Sequence, residues 1–210
     1  MIQVNVANVN IDIHQGPIGV SFSGGADSSL LLYILMKHCK DPIHIFTCST
    51  DIKNRATVRS SSIVLSKIID LTKNYNIYHH FHYIKDSPKI EDIFKQQILF
   101  IEKQIINYLY TAVTHNPPIE ICKTFKGIST EGLERDPRIV RPFYDTNNPF
   151  YMPFRNINKK VIAQIYDELG ILDSLFPLTR SCESTNITEG HCGECWWCEE
   201  RLWAFNTLGN

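Results

Sequence analysis

No run in the chain approaches the roughly 18 consecutive apolar residues of a membrane-spanning helix, so no span is expected. The opening MIQVNVANVN has no basic segment and no long apolar stretch, so no secretory leader is expected either. An excess of positive charge is also lacking. Lys and Arg number 21 against 22 Asp and Glu, a net charge of −1. No broad basic field is available to hold a nucleic-acid backbone, and stable nucleic-acid binding is not expected. There is no internal repeat and no low-complexity tract. Seven cysteines are too few for a disulfide scaffold. The expected setting is a soluble, reducing, cytoplasmic one, where clustered cysteines serve metal or catalysis.

What is present is ordinary globular composition. Hydrophobic residues make up 43% and charged residues 20%, enough apolar surface to offset the entropy of ordering. The 210 residues suit one domain, read as residues 1–210 with a cysteine-rich segment at 181–205. Strand then helix recurs along the chain. Residues 17–22 read as a buried strand, and the run from Ser28 as a helix. Ile43–Cys48 is a second strand, Arg55–Lys73 a helix and Ile77–Tyr83 a third strand. Ile90–Val113 reads as a long helical pattern with room for one break, its end marked by Asn116-Pro117-Pro118, and Ile119–Thr124 reads as a fourth strand. The expected fold class is α/β, a parallel sheet flanked by helices with a small C-terminal zinc knuckle. Met1–Gln15 reads as a strand or loose arm, and Gly127–Asn156 as long loops. Asn158 is the expected N-cap of a helix through Leu169, stopped by Gly170.

The segment Ser23-Gly24-Gly25-Ala26-Asp27-Ser28 follows a strand and opens a helix. Two glycines allow a tight turn with exposed amides and close backbone approach. The helix start adds unpaired N–H groups and a positive dipole end, while Ser23, Ser28 and Ser29 add hydroxyls. Together these make an anion cradle of phosphate size. A Walker loop is excluded, since no lysine stands here, and Gly-x-Gly-x-x-Gly is absent too. Five specified residues at about 7% each recur by chance roughly twice per million windows. Asp27 is a candidate metal or loop contact; an acid that merely favours the helix dipole is the plainer reading.

Cys182, Cys192, Cys195 and Cys198 have the spacing C-x9-C-x2-C-x2-C. Four thiolates suit tetrahedral zinc with no open position, which implies structure rather than chemistry. An iron–sulfur cluster uses similar spacing, and disulfides would need an oxidising compartment. Cys48 and Cys122 read as core residues. His79, His80 and His82 form a local cluster in which 80 and 82 share a strand face. Trp196, Trp197 and Trp203 read as packing around the knuckle or as an aromatic face for a planar base. Lys123, Lys126 and Arg135 follow the expected fourth strand, as phosphate contacts or as solvated charges.

The pattern Ser-Gly-Gly-x-Asp-Ser resembles the PP-loop of the ATP pyrophosphatase superfamily. The tail, with Ser181-Cys182, Cys192-Gly193, Cys195, Cys198, Arg201 and Ala204-Phe205 in order, resembles the end of the 7-cyano-7-deazaguanine synthase (QueC-type) family. Met152-Pro153 to Gly170, with Lys159-Lys160 ahead of Val161-Ile162, is similar to that family's helix before the zinc site. The middle departs from the family. Ser49–Arg55 keeps only an acid and an arginine of its usual segment, and Asp136-Pro137-Arg138 is the nearest match to another.

The resemblance implies ATP-dependent conversion of 7-carboxy-7-deazaguanine and ammonia to 7-cyano-7-deazaguanine, a step of queuosine biosynthesis, through an adenylated carboxylate and an amide. It implies ATP, Mg2+ and Zn2+ as cofactors. Asp27 and Ser28 would be catalytic, with Phe22, Ser23, Gly24, Gly25, Ala26, Asp27, Ser28 and Ser29 around the nucleotide. Asp51, Arg55, Lys160 and Arg201 would face substrate, and Cys182, Cys192, Cys195 and Cys198 would hold metal. A small-molecule deazapurine carboxylate is the expected partner, and a homodimer is compatible with the sequence. Other readings keep the loop but change the acceptor, stop at the amide, or resemble a tRNA thiolase.

Overall fold

A short strand of Ile18–Ser21 (β3) forms the middle of the sheet, because every neighbour it needs is delivered by a helical crossover. The computed structural model describes residues 1–49, 56–84, 90–126, 149–182, 184, 187 and 189–209, with side chains of 90–93 left aside. Two strands precede β3. Ile2–Val6 (β1) and Val9–Ile13 (β2) form an antiparallel hairpin, with Ala7 and Asn8 both at positive φ in its two-residue turn. The hairpin is pinned to the sheet by Tyr110, whose hydroxyl donates to the Asp12 carbonyl at 2.9 Å.

After β3 come helix Ala26–His38 (α1), strand Ile43–Ser49 (β4), helix Ala56–Thr72 (α2) and strand Ile77–Tyr83 (β5). Helix Ile90–Glu102 (α3) leads to strand Tyr108–Tyr110 (β6). A helical turn, Ile119–Cys122 (α4), and strand Phe150–Tyr151 (β7) follow. The order β5-β4-β3-β6-β7 is parallel throughout. Chain direction around the sheet reverses at β3, between β4 and β6. That reversal opens a crevice at the carboxyl ends of the strands.

The parallel sheet flanked by helices agrees with the sequence reading, but two elements do not. The expected long helix stops at Glu102, where Gln104 takes a positive φ of 56° and breaks it. Its expected last part is instead β6, entered through Asn107 N–H on the Pro17 carbonyl. The expected fourth strand at 119–124 is the turn α4, where Ile121 and Cys122 N–H both donate back to the Pro118 carbonyl. Most of the expected loop region, 127–148, lies outside the described residues.

The last elements are helix Lys159–Glu168 (α5), helix Leu172–Leu175 (α6), a 3-10 turn Phe176–Leu178 and helix Trp196–Phe205 (α7). Asn158 caps α5 as expected, its side chain accepting from Lys160 N–H, and Gly170 takes φ +66° at the other end. One core joins α1, α2, α5 and α7 to one sheet face. A smaller cluster of Phe46, Ile106 and Leu109 packs beneath α3 on the other face.

Candidate active site

The phosphate loop sits at the reversal point. The Phe22 N–H donates to the Phe46 carbonyl at 2.8 Å, and the Phe22 carbonyl accepts from Thr47 Oγ1 at 2.8 Å. These two bonds fix where the strand ends and the loop begins. Gly24 has φ +78°, and a Cβ there would stand 2.7 Å from the Ser61 backbone nitrogen on α2. Only glycine lets the loop lie this close to a helix. The Gly24 carbonyl accepts from the Arg180 N–H at 3.0 Å, tying the loop to the tail.

Gly25 is the N-cap of α1 and supplies no side-chain cap. The loop instead holds itself by hydroxyls. Ser23 Oγ lies 3.2 Å from Ser28 Oγ and accepts from Gly25 N–H at 3.3 Å. The first turn of this 13-residue helix, which carries Asp27, thus opens into a cleft of about 670 Å³. That is an electropositive end suited to an anion.

Phe22, Ser23, Gly25, Ala26, Asp27 and Ser28 line the cleft. Gly24 and Ser29 do not. Ser29 is fully buried, and its hydroxyl donates to the Gly25 carbonyl at 2.6 Å, so it holds the turn from beneath instead of meeting a ligand. Asp51 and Arg55 lie outside the described residues, as do Arg135 and residues 136–138. Lys160 is exposed and lies 5.0 Å over the Trp203 ring, away from the cleft. Lys160 therefore does not line the cleft, where a substrate contact was expected of it, but its neighbour does. Lys159 lines the cleft with its Nζ 3.2 Å from Asp27 Oδ2 and 3.0 Å from Glu200 Oε2. Its side chain is 3% exposed, and Glu200 is fully buried.

Arg201 is also corrected. It is fully buried, and neither faces substrate nor lies on the surface. Its guanidinium donates to Thr179 Oγ1, Ser181 Oγ and the Phe176 carbonyl, while Nε donates to the Leu208 carbonyl. The ring of Phe176 lies 3.9 Å below it. Burial pushes its pKa down to about 10, so it stays charged at neutral pH. Arg201 stitches the tail together.

The four expected thiols converge. Cys182, Cys192, Cys195 and Cys198 have their sulfurs within 4.8 Å of one another. Cys192 Sγ and Cys198 Sγ are 3.8 Å apart. Two sulfurs at about 2.3 Å from a tetrahedral zinc would be about 3.8 Å apart, so the residues fit the ion. Cys192 and Cys195 are half-buried, and Cys182 and Cys198 are buried. Arg180 braces this knuckle, its guanidinium reaching the carbonyls of Cys182, Ser184, Ile187 and Gly190. The knuckle borders the cleft through Ser181, Cys182 and Trp197. Trp197 alone of the three tryptophans lines it; Trp196 packs edge-on against Phe125.

Two of the three histidines on β5 are engaged with the sheet. His79 Nε2 lies 2.8 Å from Thr47 Oγ1, and His80 Nε2 lies 3.0 Å from His44 Nδ1. Burial pushes the His79 pKa down to about 4. Cys48 lines the cleft, and burial pushes its thiol above the ordinary 9.0. Cys122 is half-buried on α4, not in a strand core.

Two families match parts of this chain. The family described as "Asparagine synthase" matches residues 13–107, which contain the phosphate loop. The family described as "Queuosine biosynthesis protein QueC" matches residues 140–209, which contain Lys159 and the four cysteines. Neither match spans half of the chain. The two are consistent with a PP-loop, asparagine-synthase-like ATP pyrophosphatase with ligase-type chemistry. No curated protein matches the chain. Among solved structures, the crystal structure of PH1313 from Pyrococcus horikoshii Ot3 is similar at 14% identity and a TM-score of 0.39. The match covers 74% of this chain and 41% of that one, so the chain spans about two-fifths of that protein's length. No helix among the described residues is long and apolar enough to cross a membrane.

Proposed function

We propose that this protein is an ATP-dependent ligase that adenylates a carboxylate on a deazapurine and replaces AMP with ammonia. The observation that carries the reading is the N-terminus of α1 opening into the cleft beside Lys159. The phosphate loop would hold the triphosphate through backbone N–H groups and the hydroxyls of Ser23 and Ser28. A substrate carboxylate oxygen attacks the α-phosphorus, and pyrophosphate leaves. Ammonia then attacks the acyl carbon, and AMP leaves with the bonding pair. A second adenylation, on the amide oxygen, followed by loss of AMP and protons gives the nitrile, 7-cyano-7-deazaguanine.

Lys159 supports this chemistry. It is a buried cation at the cleft wall, where charge builds on the phosphorus oxygens. It holds one oxygen of the Asp27 carboxylate at 3.2 Å. Asp27 is the residue suited to Mg2+, which when bound offsets phosphate charge. The four cysteines would hold zinc as a structural element of the tail.

A thiolase-type reading is less well supported. It calls for a nucleophilic thiol at the cleft, and burial keeps the Cys48 thiol protonated. The test is mass spectrometry of the zinc-loaded chain with ATP, Mg2+, ammonium and 7-carboxy-7-deazaguanine. Amide or nitrile with AMP and pyrophosphate is the expected result, and their ratio reports where the reaction stops. AMP without a deazapurine product points to a different acceptor. No ATP cleavage with any carboxylate sinks the reading.

A further inference from the structure

The cleft continues onto the face of the sheet opposite α1. Along β3, Val20 and Phe22 join the core shared with α1, so Ser21 points the other way. The register pairs Ser21 with Phe46 and Val20 with Tyr110. Thr111, next after Tyr110, therefore stands beside Ser21, and its N–H continues the ladder onto the Tyr151 carbonyl at 3.0 Å. Ser21, Phe46 and Thr111 thus form one row across three strands. Helix α3 covers the row and adds Phe94 and Gln97. All five side chains line the cleft, and none is charged.

Two of them carry unusual polar chemistry. Gln97 is 3% exposed, and its Oε1 accepts from Ser21 Oγ at 2.6 Å. That bond fixes which way the amide faces. Thr111 is 2% exposed, and its Oγ1 has no hydrogen-bond partner. Buried hydroxyls are nearly always paired, so an unpaired one in a cleft wall marks the place of a ligand atom.

We propose that Thr111 and Gln97 are specificity-determining residues that read the polar edge of a planar nitrogen heterocycle seated in the cleft against this row. Two aromatic rings with two neutral polar groups suit such a ring system and disfavour a sugar or a phosphate. The inference rests on the adenylation reading above, because the heterocycle must sit within reach of the phosphate loop. The base of the nucleotide and the ring of a deazapurine acceptor share this chemistry, and the test separates them.

Isothermal titration of the full zinc-loaded chain would use three probes with Mg2+: tripolyphosphate, the non-hydrolysable ATP analogue AMP-PNP, and 7-carboxy-7-deazaguanine. Thr111→Val, Thr111→Ser and Gln97→Leu would be compared with the wild type. Tripolyphosphate affinity is expected to stay within about twofold throughout. One heterocyclic probe is expected to weaken about tenfold in Thr111→Val and to recover in Thr111→Ser. Whichever probe weakens names the occupant. Because the hydroxyl has no partner in the free protein, Thr111→Val should melt no lower than wild type, whereas a purely structural threonine would lower it. The inference is overturned if both heterocycles bind Thr111→Val and Gln97→Leu as tightly as wild type, or if wild type binds neither. It is also overturned if tripolyphosphate weakens in step. Failure of the wild type to bind both tripolyphosphate and AMP-PNP overturns the adenylation reading itself.

Discussion

The Lys159 ammonium lies 3.2 Å from the Asp27 carboxylate, joining the first residue of α5 to the first turn of α1. Glu200 closes the set from α7. Replacing Lys159 with methionine should lower kcat/KM for pyrophosphate release by about a hundredfold, the scale of one lost electrostatic contact to a transition state. It should also cost about 3 kcal/mol of stability, because the fully buried Glu200 loses the Lys159 ammonium at 3.0 Å. Adding Glu200→Gln should restore much of the melting temperature and little of the activity. Recovery of both together would mean that Lys159 only holds the fold.

Gly24→Ala should damage the phosphate loop. A methyl group there meets the Ser61 backbone at 2.7 Å and must tolerate φ +78°. The strain is on the order of 1–3 kcal/mol, and the loop would move off α2 to relieve it. Titration with AMP-PNP should show at least a tenfold weaker Kd. An unchanged Kd would show that the loop position is unimportant for nucleotide binding.

The thiol cluster should bind one zinc per chain, measurable by elemental analysis. The protein should be colourless, with no charge-transfer absorption of an iron–sulfur cluster. Removing the metal should lower the melting temperature sharply, since a closed four-thiolate site contributes folding energy directly. Nucleotide affinity should fall with it, because Arg180 joins the knuckle to Gly24.

Arg201→Ala should act on stability. The guanidinium meets four oxygen acceptors in a fully buried site, and its loss should cost about 3 kcal/mol or more. The KM for substrate of any folded fraction should be close to that of wild type. A raised KM at unchanged melting temperature would restore the substrate role read from the sequence.

His79 should contribute to acid sensitivity. Its pKa falls from the ordinary 6.5 to about 4 on folding, so the unfolded chain holds the proton more tightly. That contribution to stability is full above pH 6.5 and is lost as the pH falls toward 4. His79→Gln should flatten the melting temperature profile across this window. An unchanged slope would assign the acid sensitivity to other groups.

The phosphate loop and the thiol cluster were legible because each depends on residue types at fixed spacing. Lys159 was missed in favour of Lys160, although a signal was present. Lys159, Ile162 and Tyr166 fall on one helical face, and all three are buried with Ile165. A lysine on an apolar face is a buried charge, and buried charges need partners. Arg201 misled because a charged helix residue reads as surface or ligand contact, and nothing local announces four acceptors from distant segments. Strand β6 was hidden because three residues cannot display a period, and its pairing with β3 is not local. The run at 119–122 has strand-forming residues, but no strand among the described residues pairs with it, and the Pro118 carbonyl captures its amides.

The bond from Arg180 N–H to the Gly24 carbonyl spans most of the chain. During synthesis the loop emerges long before its partner. A nascent chain therefore carries Ser23–Ser28 without the clasp that sets it against the tail. Closing so long a loop is entropically costly until the knuckle is in place. Nucleotide capture should accordingly wait on the folding of the knuckle around its metal.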